Sequence, residues 1–326
     1  MNFKKKLLII ISILTFILPC ATLAYSDKII LGGDNIGISV NTKDVLVVGF
    51  YKVNNKYIAK DSGFIIGDRI TKVNGNDIHS IEDLVKEINK SDKNRVIFTV
   101  KRLDMIKDIE LDLVKEKDNY KTGLYIKDQI TGVGTLTYID PETKIFGALG
   151  HEIVDNKTGR IIDILDGYIF DSKVTGIIKS TNNKTGEKQA KFNQNLIYGE
   201  IDKNTINGVF GTYIDEVGND KLIDVGLIED IKLGPAKIYS VLEDNNIKEY
   251  NINIIKINDD STTKNILFEI TDEELLNKAN GVIKGMSGSP IVQNNKIIGA
   301  VTHAIVNDNL KGYGIFITKM LEEGEK

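Results

Sequence analysis

Cysteine is almost absent from this sequence of 326 residues, which contains only Cys20. That residue lies inside an apolar N-terminal segment, so the rest of the chain can form neither a disulfide bond nor a cysteine-based metal site. Without such cross-links, the chain must depend on its apolar core for stability. Hydrophobic residues make up 41% of the sequence and charged residues 27%, which is the balance of a soluble globular protein.

Basic residues are not in excess either. The 42 Lys and Arg residues are outnumbered by 46 Asp and Glu residues, which gives a formal net charge of −4. The lysines are scattered. The sequence lacks a basic stripe with aromatic residues beside it, which is the pattern expected of a nucleic-acid-binding protein. The composition therefore argues against nucleic acid as a partner.

Histidine is scarce as well, since the chain has only His79, His151 and His303. This matters for nucleophilic catalysis, because a serine hydroxyl is a weak nucleophile that needs a base within hydrogen-bond reach. His79 precedes a predicted helix and is expected to be a solvated residue near its cap. The candidates for a general base are therefore His151 in GALGHEIVD and His303 in GAVTHAIVND.

The long apolar run of the sequence is N-terminal, where lysines at positions 4–6 precede Leu7–Tyr25. A positive segment followed by an apolar run is typical of an export signal. Since about 20 residues span a bilayer, residues 1–25 are predicted to be either a cleaved signal peptide or a retained signal anchor. In both cases the chain from about residue 26 onward is expected to be exported.

Residues 34–115 have the pattern of one small α+β unit. NIGISV and VLVVGF predict two short strands separated by residues 41–44, and Asn74-Gly75 predicts a tight turn. Ser80 is the expected N-cap of an amphipathic helix in SIEDLVKEI. RVIFTVKR and IKDIELDLV alternate in polarity and predict the closing strands.

The segment DSGFIIGDRITKVNGNDI within this unit resembles PDZ domains of the bacterial, protease-associated kind. Such domains bind chain termini or extended segments by adding a strand at a sheet edge. The resemblance implies a carboxylate-binding loop at Ile36, Gly37 and Ile38, where glycine would let backbone N–H groups point at an anion. In the alternative interpretation, Gly37 only shapes a turn.

The sequence changes character after a polar linker at residues 116–122. From residue 123 to 326, about a dozen short apolar runs alternate with Gly, Asn and Asp turns, which predicts an all-β barrel or sandwich. In this part of the chain, the helical pattern is confined to DEELLNKA. The overall prediction is a mainly β protein, with the small α+β unit first and a larger β domain after it.

GMSGSP and the segment after it carry the strongest chemical signal. A serine on a glycine-flanked turn exposes its own N–H and that of Gly285 on one side. The order of strands after the motif resembles the C-terminal part of chymotrypsin-like serine proteases, which have a double β-barrel. That resemblance implies Ser287, not Ser289, as the nucleophile, with Gly285 and Ser287 forming the oxyanion hole. It also places Thr302 and His303 on the strand that lines the substrate cleft.

A closer resemblance covers nearly the whole chain. TGVGTLTYIDPETKIFGALGHEI, GMSGSPIVQNNKIIGAVTH and VNDNLKGYG, in this order after the PDZ-like unit, are similar to the family S55 sporulation peptidases of endospore-forming bacteria. The resemblance implies a triad with Ser287 as nucleophile, His151 as base and Asp272, 15 residues before the serine, as the orienting acid. No cofactor is expected.

The same resemblance implies a specific biological role. It predicts an enzyme exported from the forespore into the space between two membranes, either anchored there or released. The enzyme would cleave itself in trans and cut a membrane-associated regulator of an intramembrane metalloprotease, which then processes a sigma-factor precursor. The PDZ-like unit would restrain or target the peptidase.

The residues around the proposed acid also allow other assignments. TDEE predicts a capping box in which Thr271 caps a helix and Glu274 stands at its third position, with Asp272 simply an acid of the first turn. In chymotrypsin-like proteins the aspartate comes nearer to the histidine in the chain. On that basis the rival orienting residues are Asp163, Asp166 and Asp171.

Two other functions are compatible with this sequence. The chain could be a catalytically degenerate adaptor whose PDZ unit binds the C-terminus of a partner in the envelope. The presence of both Ser287 and His151 argues against this, since an inactive scaffold is free to lose either residue. A general quality-control protease of the envelope is less favoured, because such enzymes usually carry the PDZ domain after the catalytic domain.

Overall fold

The structure is a computed structural model and describes residues 25–90, 94–117, 119–155, 158–216 and 222–326. The predicted export segment at residues 1–25 lies outside the described residues except for Tyr25. Among the residues from 25 onward that are described, no helix is long and apolar enough to span a bilayer.

Strands dominate the described chain, which confirms the prediction of a mainly β protein. Those before residue 140 are β1 (Lys28–Leu31), β2 (Asn35–Phe50), β3 (Arg69–Val73), β4 (Asn76–Asp77), β5 (Arg95–Arg102), β6 (Met105–Asp112), β7 (Val114–Glu116), β8 (Asn119–Lys121) and β9 (Leu124–Ile139). Those after it are β10 (Ile145–Ala148), β11 (Ile164–Ile178), β12 (Glu187–Thr205), β13 (Gly208–Tyr213), β14 (Leu222–Val225), β15 (Gly234–Val241), β16 (Ile247–Ile257), β17 (Ile266–Ile270), β18 (Pro290–Gln293), β19 (Lys296–Ala304) and β20 (Lys311–Phe316).

The α-helices are short and lie between or after the strands. They are α1 (Ile58–Asp61), α2 (Ile81–Asn89), α3 (Glu273–Ala279) and α4 (Ile317–Glu325). The sequence predicts α2 and α3 but misses α1 and α4. Helix α4 did carry a signal, because Ile317, Met320 and Leu321 are spaced by three and four residues and all are buried.

The predicted helix cap, helix face and tight turn of the PDZ-like unit are confirmed. Ser80 is the N-cap of α2, and its hydroxyl accepts a hydrogen bond from the Asp83 N–H. Leu84 and Ile88 form the buried face of this helix. Asn74 and Gly75 both have positive φ and join β3 to β4 by the predicted tight turn.

Strands β2 and β9 connect the PDZ-like unit with the C-terminal β domain. The sequence predicts two strands over residues 35–50, but the structure has a single strand of 16 residues. Its first half pairs with β11 and with the second half of β9, whereas its second half pairs with β3 and the first half of β9. Both strands therefore run from one unit into the other without a break.

Each unit has an apolar core of its own. The PDZ-like unit packs α2 against the sheet of β2, β3 and β5, with Val47, Leu84 and Phe98 among its buried side chains. In the C-terminal domain, one core lies among β2, β9, β10, β11 and β13, and another among β15–β20 and α3. A further cluster lies beneath α4.

The predicted carboxylate-binding loop at Ile36, Gly37 and Ile38 is wrong. These residues pair with β9 on one side and with β11 on the other, so the strand has no free edge to which a peptide could add. Ile36 and Ile38 are buried in the core of the C-terminal domain. A Cβ on Gly37 would lie 2.1 Å from the ring of Phe170, so this glycine is required by packing.

The predicted domain boundaries also need correction. Residues 35–42 lie in the sheet of the C-terminal domain, although the sequence assigns them to the unit at 34–115. Most of the predicted linker at residues 116–122 belongs to the β7–β8 hairpin. Residues 124–127 of β9 then pair with residues 46–50 of β2, so a strand that follows the PDZ-like unit in sequence completes its sheet.

The buried position of Ile36 leads to a stability prediction. Ile36 is 0% exposed, and we expect Ile36→Ala to lower the free energy of unfolding by about 2–5 kcal/mol, because the deletion leaves a cavity. The control is Ile106→Ala on β6, where the side chain is 77% exposed and a change within about 0.5 kcal/mol is expected. Urea unfolding measures both, and an unchanged value for Ile36→Ala would contradict the core placement.

Candidate functional site

The loop between α3 and β18 carries Ser287. Gly285 and Gly288 on either side have φ of +93° and +92°, a region that favours glycine. A Cβ on Gly288 would lie 2.1 Å from the carbonyl oxygen of Thr135 on β9 and 2.6 Å from the nitrogen of Leu149. The glycine therefore lets the serine loop lie directly against β9 and against the turn after β10.

That turn carries the candidate base. Leu149 and Gly150 have φ of +67° and +68°, and His151 follows them. His151 and Ser287 line the same cavity, which has a volume of about 490 Å³ and is also bordered by Gly285 and Glu152. The fold thus brings together two residues that the sequence separates widely.

The two serines of the motif have different surroundings. Ser289 is 0% exposed, and its hydroxyl donates to Ser240 Oγ at 3.0 Å. Ser287 is only half-buried and borders the cavity. Its hydroxyl donates to the main-chain carbonyl of Thr302 at 2.9 Å. A substrate in the cavity can therefore reach Ser287 but not Ser289.

The tautomer of His151 follows from its contact with Glu152. The Nδ1 atom lies 2.8 Å from the Glu152 carbonyl oxygen, and since a carbonyl can only accept, Nδ1 carries the hydrogen. Nε2 is then the basic nitrogen, which is the tautomer that a general base requires. Burial lowers the pKa of His151 below its ordinary value, against the opposing effects of the Glu152 carbonyl and carboxylate.

Ser287 and His151 are not yet aligned for proton transfer. Among the described residues, the hydrogen-bond partner of the Ser287 hydroxyl is Thr302 and not His151. For His151 to act as the base of Ser287, the hydroxyl has to leave the Thr302 carbonyl and turn toward Nε2. Long or misaligned catalytic hydrogen bonds are common in proteins without a substrate.

The predicted oxyanion hole has suitable backbone directions. The carbonyl of Lys284 accepts from the Lys188 N–H, and the carbonyl of Met286 accepts from the Ser289 N–H. In a trans peptide the N–H points opposite to the carbonyl, so the N–H groups of Gly285 and Ser287 point away from these partners. Neither donates to another group in the described part of the chain.

Asp272 does not orient His151 in this structure, which corrects the assignment taken from the resemblance. Its side chain accepts from the Leu275 N–H at 3.1 Å, which makes it the N-cap of α3. The other oxygen accepts from the Asn251 N–H at 3.2 Å. The predicted capping box is also shifted, because Asp272 and not Thr271 is the N-cap. Asp272 is thereby fixed at a helix start, and the Glu152 carbonyl contacts the imidazole instead.

The three rival aspartates are likewise engaged elsewhere. Asp163 forms an ion pair with Arg69 at 2.7 Å, and Asp166 accepts from the Asn41 amide at 2.6 Å. Asp171 accepts from the Tyr198 hydroxyl at 3.1 Å. No described aspartate is bonded to either imidazole nitrogen of His151.

Thr302 differs from its predicted role in the substrate cleft, whereas His303 lies beside the candidate base. Thr302 is 2% exposed, and its side chain donates to the Tyr313 carbonyl, so it offers only its own carbonyl to Ser287. The ring of His303 lies 5.1 Å from that of His151. Burial, and then the neighbouring His151, lowers the pKa of His303 to about 4, and its Nδ1 is buried without a partner among the described residues.

Two residues behind the serine loop, Thr135 and Lys188, were not predicted from the sequence. Thr135 donates its hydroxyl to the Gly285 carbonyl at 2.8 Å and its N–H to the Ser287 carbonyl at 3.0 Å. Lys188 on β12 is buried beside it. No local motif marks either residue, since each is an ordinary strand residue whose role depends on pairings distant in sequence.

In the described ranges, no three His, Cys, Asp or Glu side chains are grouped so that they could hold a metal ion.

Two family models match parts of the chain. The family model for SpoIVB peptidase S55 matches residues 118–321, and that for the PDZ domain matches residues 35–113. The crystal structure of the PDZ domain of the SdrC-like protein from Listeria monocytogenes is 20% identical over 27% of this chain and 93% of that chain, with a TM-score of 0.23. No curated protein matches the chain.

The family match confirms the resemblance seen in the motifs. It spans more than half of the chain and includes both the turn with His151 and the loop with Ser287. Members of this family are serine peptidases, and together with the PDZ domain this implies a protein as substrate or partner. The chain belongs to the SpoIVB peptidase S55 family.

Proposed function

We propose that this protein is an exported signalling endopeptidase of sporulation, with Ser287 as its nucleophile and His151 as its general base. The observation that carries the chemical part is the shared cavity, in which the Ser287 side chain, the His151 turn and Gly285 meet. The biological part is supported by membership of the S55 family and by the apolar segment at residues 7–25.

The reaction uses groups already present in the cavity. His151 Nε2 takes the proton of the Ser287 hydroxyl as the oxygen attacks a peptide carbonyl, and the Glu152 carbonyl holds the Nδ1–H throughout. The N–H groups of Gly285 and Ser287 stabilise the oxyanion. His151 then passes the proton to the leaving amine, and water hydrolyses the acyl-enzyme by the same steps.

The proposed setting follows the family. The enzyme is exported from the forespore into the space between the membranes, where it cleaves itself and a membrane-associated regulator of an intramembrane metalloprotease. The sigma-factor precursor is processed as a result. A degenerate adaptor is less well supported, because the edges of β2 at which a partner's terminus could add are paired with β3, β9 and β11.

The assignment of the nucleophile can be tested by labelling. We expect Ser287→Ala to abolish both self-cleavage and reaction with a fluorophosphonate, because the variant lacks the only cavity-facing hydroxyl of the motif. Ser289→Ala should be labelled to the same end point as the unaltered protein, since the Ser289 hydroxyl is fully buried. Loss of labelling in both variants, or in neither, would overturn the assignment.

The role of Asp272 can be separated from helix capping. Asn is as good an N-cap as Asp, so Asp272→Asn should keep the labelling rate within about threefold, whereas Asp272→Ala should lower the free energy of unfolding by about 1 kcal/mol. For an orienting aspartate, the Asn variant would lose activity by about 10⁴-fold. A loss of that size with unchanged thermal stability would restore Asp272 to the triad.

The ionisation of the two cavity histidines gives a third prediction. Because burial lowers both pKa values, NMR titration of the ring protons should place the midpoint of His151 below 6.5 and that of His303 at about 4. Because of the lowered pKa, the imidazole stays neutral, and therefore able to act as a base, down to a lower pH. His151→Gln and His303→Gln assign the signals. A midpoint of His303 near 6.5 would show that the pair is solvated.

A further inference from the structure

Lys188 is a buried lysine directly behind the serine loop. It is 6% exposed, although lysine is almost never buried unless it is paired. Its Nζ lies 3.2 Å from Ser240 Oγ, 3.4 Å from Asn35 Oδ1 and 3.5 Å from Thr135 Oγ1. These partners lie on β15, β2 and β9, so one amine joins three strands.

The same residue touches the loop that carries the nucleophile. A Cβ on Gly285 would lie 3.0–3.2 Å from the Lys188 stem, so the stem forms the floor beneath this glycine. The Lys188 N–H donates to the Lys284 carbonyl at 3.0 Å. Thr135, which contacts the amine, donates its hydroxyl to the Gly285 carbonyl at 2.8 Å. Lys188 thus acts on Gly285 both directly and through Thr135.

The described groups that contact the amine are uncharged. The groups that face it from β2, β9 and β15 are an amide and two hydroxyls, and Ser289 joins them through its bond to Ser240. Among the described residues, no carboxylate contacts Nζ. Burial alone lowers the pKa of Lys188 to about 7. The uncharged amine can both donate and accept, whereas the ammonium form would be a buried charge without a counter-ion.

We propose that Lys188 is a positioning residue for the peptidase reaction, whose stem and amine hold the Gly285–Ser287 loop against β9 with its N–H groups directed into the cavity. Among the described residues, the Ser287 hydroxyl bonds to the Thr302 carbonyl and not to Lys188, so the effect of Lys188 passes through Gly285 and Thr135. The proposal rests on the assignment of Ser287 as nucleophile. It explains why a lysine occupies a site where burial disfavours its charge.

The loop geometry matters most when the oxyanion forms. An N–H donor must lie about 3 Å from the developing charge, and a displacement of about 1 Å can cost about 100-fold in rate. Loss of the Lys188 amine leaves Thr135 and Asn35 without one of their partners, so the strand ends behind the loop are less firmly held. Lys188 borders the cavity, but its Nζ contacts buried groups on β2, β9 and β15. The binding of a ligand in the cavity should therefore change little.

The test is the kinetics of fluorophosphonate labelling on the full chain. Lys188→Met keeps an unbranched stem beneath Gly285 and removes the amine. We expect the limiting rate of inactivation to fall by about 10- to 100-fold, while the concentration for half-maximal rate changes by less than about twofold. Lys191→Met, on the same strand but exposed, is the matched control and should behave like the unaltered protein.

The pH dependence separates positioning from a general loss of structure. The unaltered protein should show an ionisation near pH 7 in its labelling rate, with the lower rate on the acid side where the amine is charged. Lys188→Met should lose this ionisation and keep that of His151. An unchanged limiting rate, or a pH profile identical to that of the unaltered protein, would overturn the proposal.

A second variant keeps the proposal testable if Lys188→Met does not fold. Thr135→Val removes only the hydroxyl that joins Lys188 to the Gly285 carbonyl, and it should slow labelling without the loss of the thermal transition. If both variants fold, their effects should be less than additive, because they break one chain of contacts. Full additivity would contradict the proposed route.

Failure of this proposal is distinguishable from failure of the assigned nucleophile. Labelling of Ser287→Ala would show that another residue reacts, whatever the behaviour of Lys188→Met. Loss of labelling in Ser287→Ala, together with full labelling rates in Lys188→Met and Thr135→Val, would keep the nucleophile and remove the positioning role.

Discussion

The pairing of β2 with β9 is the interaction on which the rest of the structure depends. The two strands lie side by side from Asn35–Thr135 to Phe50–Leu124, although their register shifts along the way. One end of this strand pair completes the sheet of the PDZ unit. The other end holds the serine loop through Thr135. The serine loop is thus fixed by a strand whose opposite end belongs to another unit.

The sequence predicted the features that depend on local chemistry. The Ser80 cap, the Asn74-Gly75 turn, the mainly β composition and the family were all readable, because each follows from a few neighbouring residues. Prediction from the sequence failed where pairing with distant strands determines the position of a residue. The pattern of apolar residues at 35–38 suits a PDZ ligand loop as well as a core strand. These residues lie in the core because β11 and β9 pair with them on both sides.

The candidate site also combines features that the sequence predicted with features that it could not predict. The glycines of GMSGSP predicted a loop with exposed N–H groups, and their positive φ agrees with that reasoning. The helix start at TDEE predicted a cap, but the sequence could not show which of two adjacent residues supplies it. The contact of His151 with the carbonyl of Glu152 and the buried position of Lys188 leave no trace in composition or spacing.

The continuous strands have a consequence for how the chain unfolds and evolves. A sheet that crosses from one core to another gives no point at which one unit can melt while the other keeps its hydrogen bonds intact. Insertion, deletion or exchange of the PDZ module must therefore preserve the hydrogen-bonding frame of two 16-residue strands. Modules joined by a flexible tether are free of that restriction, and this enzyme is not.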